Sequence, residues 1–428
     1  MKKISILIAG FLLAFAPVKA DEGMWLPMFL KRNIEDMQKM GLQLSAEELY
    51  DINNSSLKDA IVSFSGYCTG EVISSQGLIL TNHHCGYDAI QSHSTVEDNI
   101  LKNGYWAKTL ADEKKNDDLF VDFLIRMDDV TARILAELNS GMTEDQRAKA
   151  IDEAIETIKS EFEAENGYWI EIKPFFEGNE FYKFTYQRFD DVRLVGTPPE
   201  SVGKYGGDTD NWMWPRQTGD FAMFRVYTDI DGNPAPYAIS NIPMKPKHHL
   251  PISMKGVEAG DFTMVWGYPG GTDRYLSSWG VQQAIEENNP TVVDIRRVKL
   301  DVLDEKMAAD EKVRIQYASK YANTSNYWKY FIGQTKGLKA LDVVKDKQKL
   351  EQTFRDWTFT NPKIKTKYGK TLSLIQESVE ASAPFIKPAV YIREAALIGP
   401  DITLFALRSS RLLDRMLNAD TPEPNKTA

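Results

Sequence analysis

The chain has 428 residues, 43% of them hydrophobic and 26% charged, a globular composition long enough for two or three domains. Lys+Arg 51 against Asp+Glu 61 leaves a formal charge of -10, which excludes a protein that holds nucleic acid by tracking its phosphates. With 27 glycines, 19 prolines and 9 tryptophans, and no repeat of fixed period, collagen-like, low-complexity and disordered classes fall away as well.

Lys2 and Lys3 precede an apolar run from 4 to 17, and Val18-Lys19-Ala20 places small residues where a signal peptidase reads. Residues 1–20 therefore read as a secretory signal, with the mature protein starting near Asp21, secreted or periplasmic. The run is shorter than the roughly 18 to 20 residues of a membrane span, and no later segment reaches that length, so no membrane span is expected.

Strands follow at Ile61–Phe64, 70–73 and Leu78–Thr81, the last two joined by a Ser74-Ser75-Gln76-Gly77 turn. Another is expected at 120–125, then helical spacing at Val130, Ile134 and Leu138. Thr143 with Gln146 makes a capping box that opens a helix with Ile151, Ile155, Ile158 and Phe162 on its apolar face. Strands return at Ile170 and Ile172, turn at Glu177-Gly178-Asn179, and continue through 181–194. The segment 221–227 ends at an Asp231-Gly232 turn, and 262–266 reads as the last strand. From about Ser277 the texture is helical: Asn289 as a cap, Pro290 at the first helical position, then Ile295, Val298 and Val302 on one face. Helical patterns continue through 338–357, 372–382 and 389–417, before a polar tail at 421–428. The pattern predicts an α+β protein, β-rich over 21–276 and helical over 277–428.

Cys68 and Cys85 are the two cysteines, and behind a secretory signal an even count predicts a disulfide. Metal binding is not expected: the five histidines include the adjacent pairs His83-His84 and His248-His249, which on a strand face opposite ways. Nor is a cofactor. Gly267 to Gly271 lacks the Lys-Ser/Thr of a phosphate loop, Asp208, Asp210 and Trp212 miss the third ligand and glycine of a calcium loop, and Asp229-Asp231-Gly232 is a turn.

The segment from Cys68 through Asn82-His83-His84-Cys85 reads as a hairpin whose second strand ends in a histidine, with a cystine fixing that end. A general base needs such anchoring, because its imidazole must stay within hydrogen-bond reach of a nucleophile. The arrangement resembles the histidine segment of chymotrypsin-like serine peptidases, with His84 as base and His83 facing away. A carboxylate must orient the imidazole; spacing alone leaves Asp88, Asp208, Asp210 and Asp220 open.

The stretch Gly206-Gly207-Asp208-Thr209-Asp210-Asn211-Trp212-Met213-Trp214-Pro215-Arg216-Gln217-Thr218-Gly219-Asp220-Phe221 resembles the signature of bacterial serine exopeptidases that include dipeptidyl-peptidases 7 and 11. Asp21-Glu22-Gly23-Met24-Trp25 and Gly267-Tyr268-Pro269-Gly270-Gly271-Thr272 share the likeness. It implies a chymotrypsin-like antiparallel β-barrel with inserted helices, followed by an α-helical domain. It implies Asp220 as the triad carboxylate, and Asn211, Trp212 and Asn326 as the grip on the substrate's free amino terminus. Arg216 is expected to brace that loop by pairing with a carboxylate. The partners implied are peptides with a free N-terminus, with a homodimer as a further option.

Serines beyond Asp220, among them Ser240, Ser253, Ser277, Ser278 and Ser325, all lack the Gly-Asn-Ser-Gly setting of a nucleophile. Because the family carries its serine on a second barrel, the chain reads as an N-terminal portion, with an incomplete helical domain, that is inactive alone. A secreted endopeptidase and a non-catalytic peptide-binding relative are the alternative functions.

Overall fold

The computed structural model describes residues 25–418; the expected signal at 1–20 and the polar tail at 421–428 lie outside the described residues. The strands in chain order are β1 (Ile61–Phe64), β2 (Cys68–Val72), β3 (Leu78–Thr81), β4 (Tyr105–Trp106), β5 (Lys114–Lys115), β6 (Val121–Asp129), β7 (Tyr168–Phe175), β8 (Glu180–Phe189), β9 (Val192–Thr197), β10 (Ala222–Thr228) and β11 (Ile242–Pro243). The helices that matter below are α1 (Tyr87–Ser92), α2 (Glu144–Ser160), α3 (Glu200–Gly203), α4 (Gly207–Asp210), α5 (Asn289–Ala309), α6 (Glu311–Ala340), α7 (Val343–Phe359), α8 (Thr371–Tyr391) and α9 (Asp401–Asn418). The expected α+β class holds.

Two compact units share the chain. One comprises 25–61, Phe123–Gln187 and Pro246–Trp266. In it the Thr143 capping box forms as the sequence predicts: Gln146 N–H donates to Thr143 Oγ1 at 3.3 Å and Thr143 N–H to Gln146 Oε1 at 2.9 Å. The α2 helix so opened buries Ala154 and Ile158 with Ile134, Ile172 and Phe181, and Ile151 and Ile155 pack against them. β7 and β8 form an antiparallel hairpin from Tyr168↔Gln187 to Phe175↔Glu180. A second cluster joins Leu30, Met37, Leu42 and Leu49 with Phe262 and Trp266. The strand expected at 262–266 is absent: Phe262 and Trp266 face this cluster, but the segment joins no ladder. Apolar alternation puts side chains on one face without supplying an open strand edge to pair with.

The other unit comprises Val62–Asp122, Arg188–Lys245 and 267–418. Its antiparallel strands run β4-β9-β10-β3-β2, with β5 also on β9 and β11 on β10. β10 lies between β3 and β9 and is the most buried of them; Ala222, Phe224 and Val226 have no exposure. Its one buried cation, Arg225, is matched: the guanidinium donates to Glu113 Oε1 at 2.9 Å and to Gln76 O at 2.8 Å, and Tyr227 Oη donates to the same carboxylate at 2.7 Å. Full pairing of this kind is what makes an ion pair tolerable inside a core. The single strand expected over 181–194 is split into β8 and β9. At the break Asp191 binds Arg193 through both carboxylate oxygens, at 2.9 and 2.7 Å, and its carbonyl accepts from Tyr227 N.

The helical part of this unit corrects one boundary. Asn289 does not cap: a helix already runs over Ser278–Gln283, widens to a π turn at Ala284–Asn288, and continues as α5. Pro290 lacks an N–H and crowds the preceding turn, and the π turn relieves both problems. Asn289 is buried instead, donating to Gln334 Oε1 and Thr335 Oγ1 of α6 at 2.9 and 3.1 Å. Among the described residues no helix is long and apolar enough to cross a membrane.

Candidate active site

The register of two strands builds the site. β3 and β10 pair with Thr81 opposite Ala222 and Leu80 opposite Met223. Carried past the strand ends, an antiparallel register brings the residues after Thr81 against those before Ala222. His84 and Asp220, 136 positions apart, meet there. His84 Nδ1 lies 2.8 Å from Asp220 Oδ2, and the His84 backbone N–H donates to Asp220 Oδ1 at 3.1 Å. Both carboxylate oxygens are thereby engaged, which requires the ring to carry its proton on Nδ1 and leaves Nε2 as the base. Asn82, which the sequence reading passed over, adds a third hold: its Nδ2 donates to Asp220 O at 3.1 Å and to Oδ2 at 3.4 Å. Its only signal in the sequence is a polar side chain one step past a strand end.

Burial pushes the Asp220 carboxyl up, but the hydrogen bonds and electrostatic attraction of the His84 ring and its backbone N–H outweigh it and hold Asp220 below the ordinary carboxylate range. The His84 side chain is 69% exposed, so its reactive edge is reachable. Among the described residues no serine hydroxyl is bonded to it. The two histidines sit on a turn, not on the strand end that the sequence suggested: Cys85 N and Gly86 N both donate to Asn82 O, at 3.1 and 3.2 Å. The turn does put them on opposite sides, His83 with 1% exposure and His84 outward.

Cys68 and Cys85 are joined, with Cα atoms 6.0 Å apart, fixing the end of this turn to the start of β2. Tyr67 Oη donates to Cys85 O at 3.0 Å and supports the same point. Their sulfur atoms lie close to His84, but as a cystine they offer no thiolate to a metal.

The other sequence-predicted residues come together on the loop before Asp220 and on α6. Asn326 Oδ1 accepts from Asn211 Nδ2 at 2.8 Å and from Trp212 Nε1 at 2.9 Å. An indole nitrogen only donates, so this contact fixes which end of the Asn326 amide is oxygen. Asn211 must then turn its NH2 to Asn326 and its own Oδ1 elsewhere, where the nearest donor is Arg216 Nη1 at 3.5 Å. Trp212 takes a left-handed backbone, φ 62°, uncommon for a non-glycine residue, and rests its ring 5.5 Å from Tyr330 of α6.

Arg216 braces the loop, but not through a carboxylate. Its guanidinium donates to Tyr205 O from two nitrogens, at 3.1 and 2.8 Å, and to Gly207 O at 2.6 Å. A tight turn at Gly206 and Gly207, both with positive φ, turns carbonyls inward, and a planar five-donor group can gather them. Two further ties, not read from the sequence, hold α6 in place. Lys329 donates to the carbonyls of Asp208 and Thr209. Gln91 of α1 accepts from Ser319 N at 2.8 Å and donates to Gln316 O at 3.2 Å.

Residues 20–426 match the family model described as Peptidase S46. The chain belongs to the Peptidase S46 family. Dipeptidyl-peptidase 7 of Capnocytophaga gingivalis is 50% identical over 376 residues, 87% of this chain and 52% of the relative. The Asp/Glu-specific dipeptidyl-peptidase of Flavobacterium psychrophilum is 44% identical over 381 residues, 89% of this chain and 53% of the relative. Among solved structures, Porphyromonas endodontalis DPP11 in complex with the dipeptide Arg-Glu superposes with a TM-score of 0.80 at 38% identity, over 89% of this chain and 55% of that one. The chain thus spans about half the length of the S46 relatives it matches.

Proposed function

We propose that this chain carries the base, the orienting carboxylate and the amino-terminus grip of a serine-type dipeptidyl-peptidase. The observation that carries the reading is the meeting of Asn211, Trp212 and Asn326 at one amide oxygen, on the loop that leads directly into Asp220, the partner of His84. S46 relatives named dipeptidyl-peptidases support it, as does a structural neighbour that holds a dipeptide. The nucleophilic serine comes from outside the described residues. An export signal at 1–20 fits the cystine, which persists in an oxidising compartment.

In this mechanism His84 Nε2 takes the proton of the serine hydroxyl as its oxygen attacks the scissile carbonyl, while Asp220 keeps Nδ1–H in place and stabilises the imidazolium. The imidazolium then gives that proton to the departing amine, leaving a dipeptidyl-enzyme ester. Water, deprotonated by the same nitrogen, attacks the ester; the bond to the serine oxygen breaks, that oxygen takes the proton back from His84, and the dipeptide is freed. Removal of two residues at a time follows from a fixed distance between the serine and the ammonium acceptor. Asn326 Oδ1 already receives two N–H groups, so Asn211 Oδ1, with only the long Arg216 contact, is the acceptor with capacity for the ammonium. The Trp212 ring, 58% exposed, forms a wall for it.

Calorimetry of dipeptides tests the reading without needing turnover. A free dipeptide is expected to bind at least about ten-fold more tightly than its N-acetylated form, the size of a lost charged hydrogen bond. Equal affinity would favour an endopeptidase-type groove.

A further inference from the structure

His83, the neighbour of the catalytic base, has no task in that mechanism, yet it is one of the most enclosed polar side chains of the molecule. It is 1% exposed, and its Nε2 has no hydrogen-bond partner. Burying Nε2 without a partner carries a desolvation cost, and the neutral ring packs through its flat faces and edges as a rigid plate. One edge of the plate meets the Tyr87 ring, with centroids 5.5 Å apart and planes at 77°. Its other contact is closer: a Cβ added to Gly203 would stand 2.5 Å from His83 Cδ2 and 2.6 Å from Cγ. Only a glycine lets α3 approach the ring this nearly.

That contact does not stand alone. Tyr87 Oη donates to Glu200 Oε1 at 2.8 Å, and Gly219 N, one residue before Asp220, donates to Val202 O at 3.0 Å. Three parts of the site, the histidine turn, α3 and the strand entry with Asp220, are thereby tied around one ring. The 204–216 loop with its Arg216 brace starts where α3 ends.

We propose that His83 is a positioning residue: wedged between Tyr87 and Gly203, its ring sets the turn that presents His84 to Asp220 and registers the start of the substrate loop against it. The charged and titratable groups facing it are Asp220, Glu200, Lys204, Tyr87 and His84. Burial keeps the ring neutral, with its pKa lowered to about 4, so the plate stays uncharged near neutral pH. The proposal rests on His84 and Asp220 as the catalytic pair, but its test needs no catalysis.

Gly203 makes a clean probe. It is a helical residue with ordinary backbone angles, where alanine is favoured over glycine on propensity alone. Harm from Gly203→Ala must therefore come from the ring it strikes. The full 428-residue chain, labelled with 15N-histidine, would report the tautomer of His84 by long-range 1H–15N correlation, the signal being assigned by its loss in His84→Gln. In Gly203→Ala the ratio of the Nδ1–H to the Nε2–H form of His84 should fall by about ten-fold, as expected for loss of a hydrogen bond to a charged group. Adding His83→Ala removes the obstacle, and the double variant should recover most of the ratio, a non-additive coupling. An unchanged ratio in Gly203→Ala, or a double variant no better than the single one, overturns the proposal. Should Gly203→Ala fail to fold, His83→Ala is compared with the double variant: equal ratios support the wedge, and a further fall on adding the methyl group sinks it. Failure of the peptidase reading would show separately, as equal affinity for free and N-acetylated dipeptides with these ratios unaffected.

Discussion

Asp220 holds His84 at two points, by the ring Nδ1 at 2.8 Å and by the backbone N–H at 3.1 Å. The double hold fixes rotation of the ring as well as its tautomer, since a single contact would leave the imidazole free to pivot. Replacing Asp220 by Asn keeps the shape but turns one carboxylate oxygen into a donor that faces donors. The kcat of the active enzyme should then fall by about 10^4-fold with KM little changed, the penalty for the wrong tautomer in a triad. Steady-state kinetics of Asp220→Asn checks this; a loss under ten-fold would remove Asp220 from the role.

His83 gives stability a pH dependence with a definite sign. Its folded pKa is lowered from 6.5 to about 4, so between those values the unfolded chain binds a proton that the folded chain refuses. Stability is full above the unfolded value and falls as pH drops from about 6.5 towards 4, by on the order of 3 kcal/mol in all. Asp220, held below its ordinary range, acts at lower pH: the stability it contributes is present above about 3.9 and is lost as pH falls through its folded pKa. Urea unfolding at half-unit pH steps should show the upper slope in the wild type and its loss in His83→Leu. An unchanged slope in the variant would assign it to other groups.

The cystine should matter to the fold as well as to the site. Cys68 and Cys85 close a loop with a sequence separation of 17, for which chain entropy gives roughly 3 kcal/mol. Thermal unfolding of Cys68→Ser/Cys85→Ser should show a matching loss, accompanied by weaker peptide binding as the His84 turn loosens. Reaction of both thiols with an alkylating agent in folded, unreduced protein would contradict the pairing.

Local chemistry was legible in the sequence where it is settled within a few residues. The Thr143 and Gln146 capping box and the Ile61–Phe64 and Leu78–Thr81 strands depend on near neighbours. Other readings failed where the deciding partner or backbone turn lies beyond those few residues. The 262–266 segment alternates like a strand but meets no open edge. Asn289-Pro290 looks like a helix start, yet the helix passes through it on a π turn while the Asn289 amide serves α6. Arg216 was expected to seek a carboxylate, but the glycines at 206 and 207 turn carbonyls into its reach. Spacing alone leaves four aspartates open as the partner of His84, and only the family resemblance singles out Asp220; the physical cause, the β3–β10 register, belongs to the folded chain.

If the amide cluster on the loop before Asp220 reads a free amine, its loss should show on substrates that carry one and not on blocked ones. The kcat/KM of the active enzyme would be measured for wild type and Asn211→Ala, on a dipeptidyl substrate and on its N-acetylated counterpart. Asn211→Ala removes the acceptor with capacity for the ammonium, so the free-amine substrate should lose about ten- to a hundred-fold. The acetylated substrate, already poor, should change little. Equal losses on both substrates would mean that Asn211 only supports its loop, and would contradict the exopeptidase account.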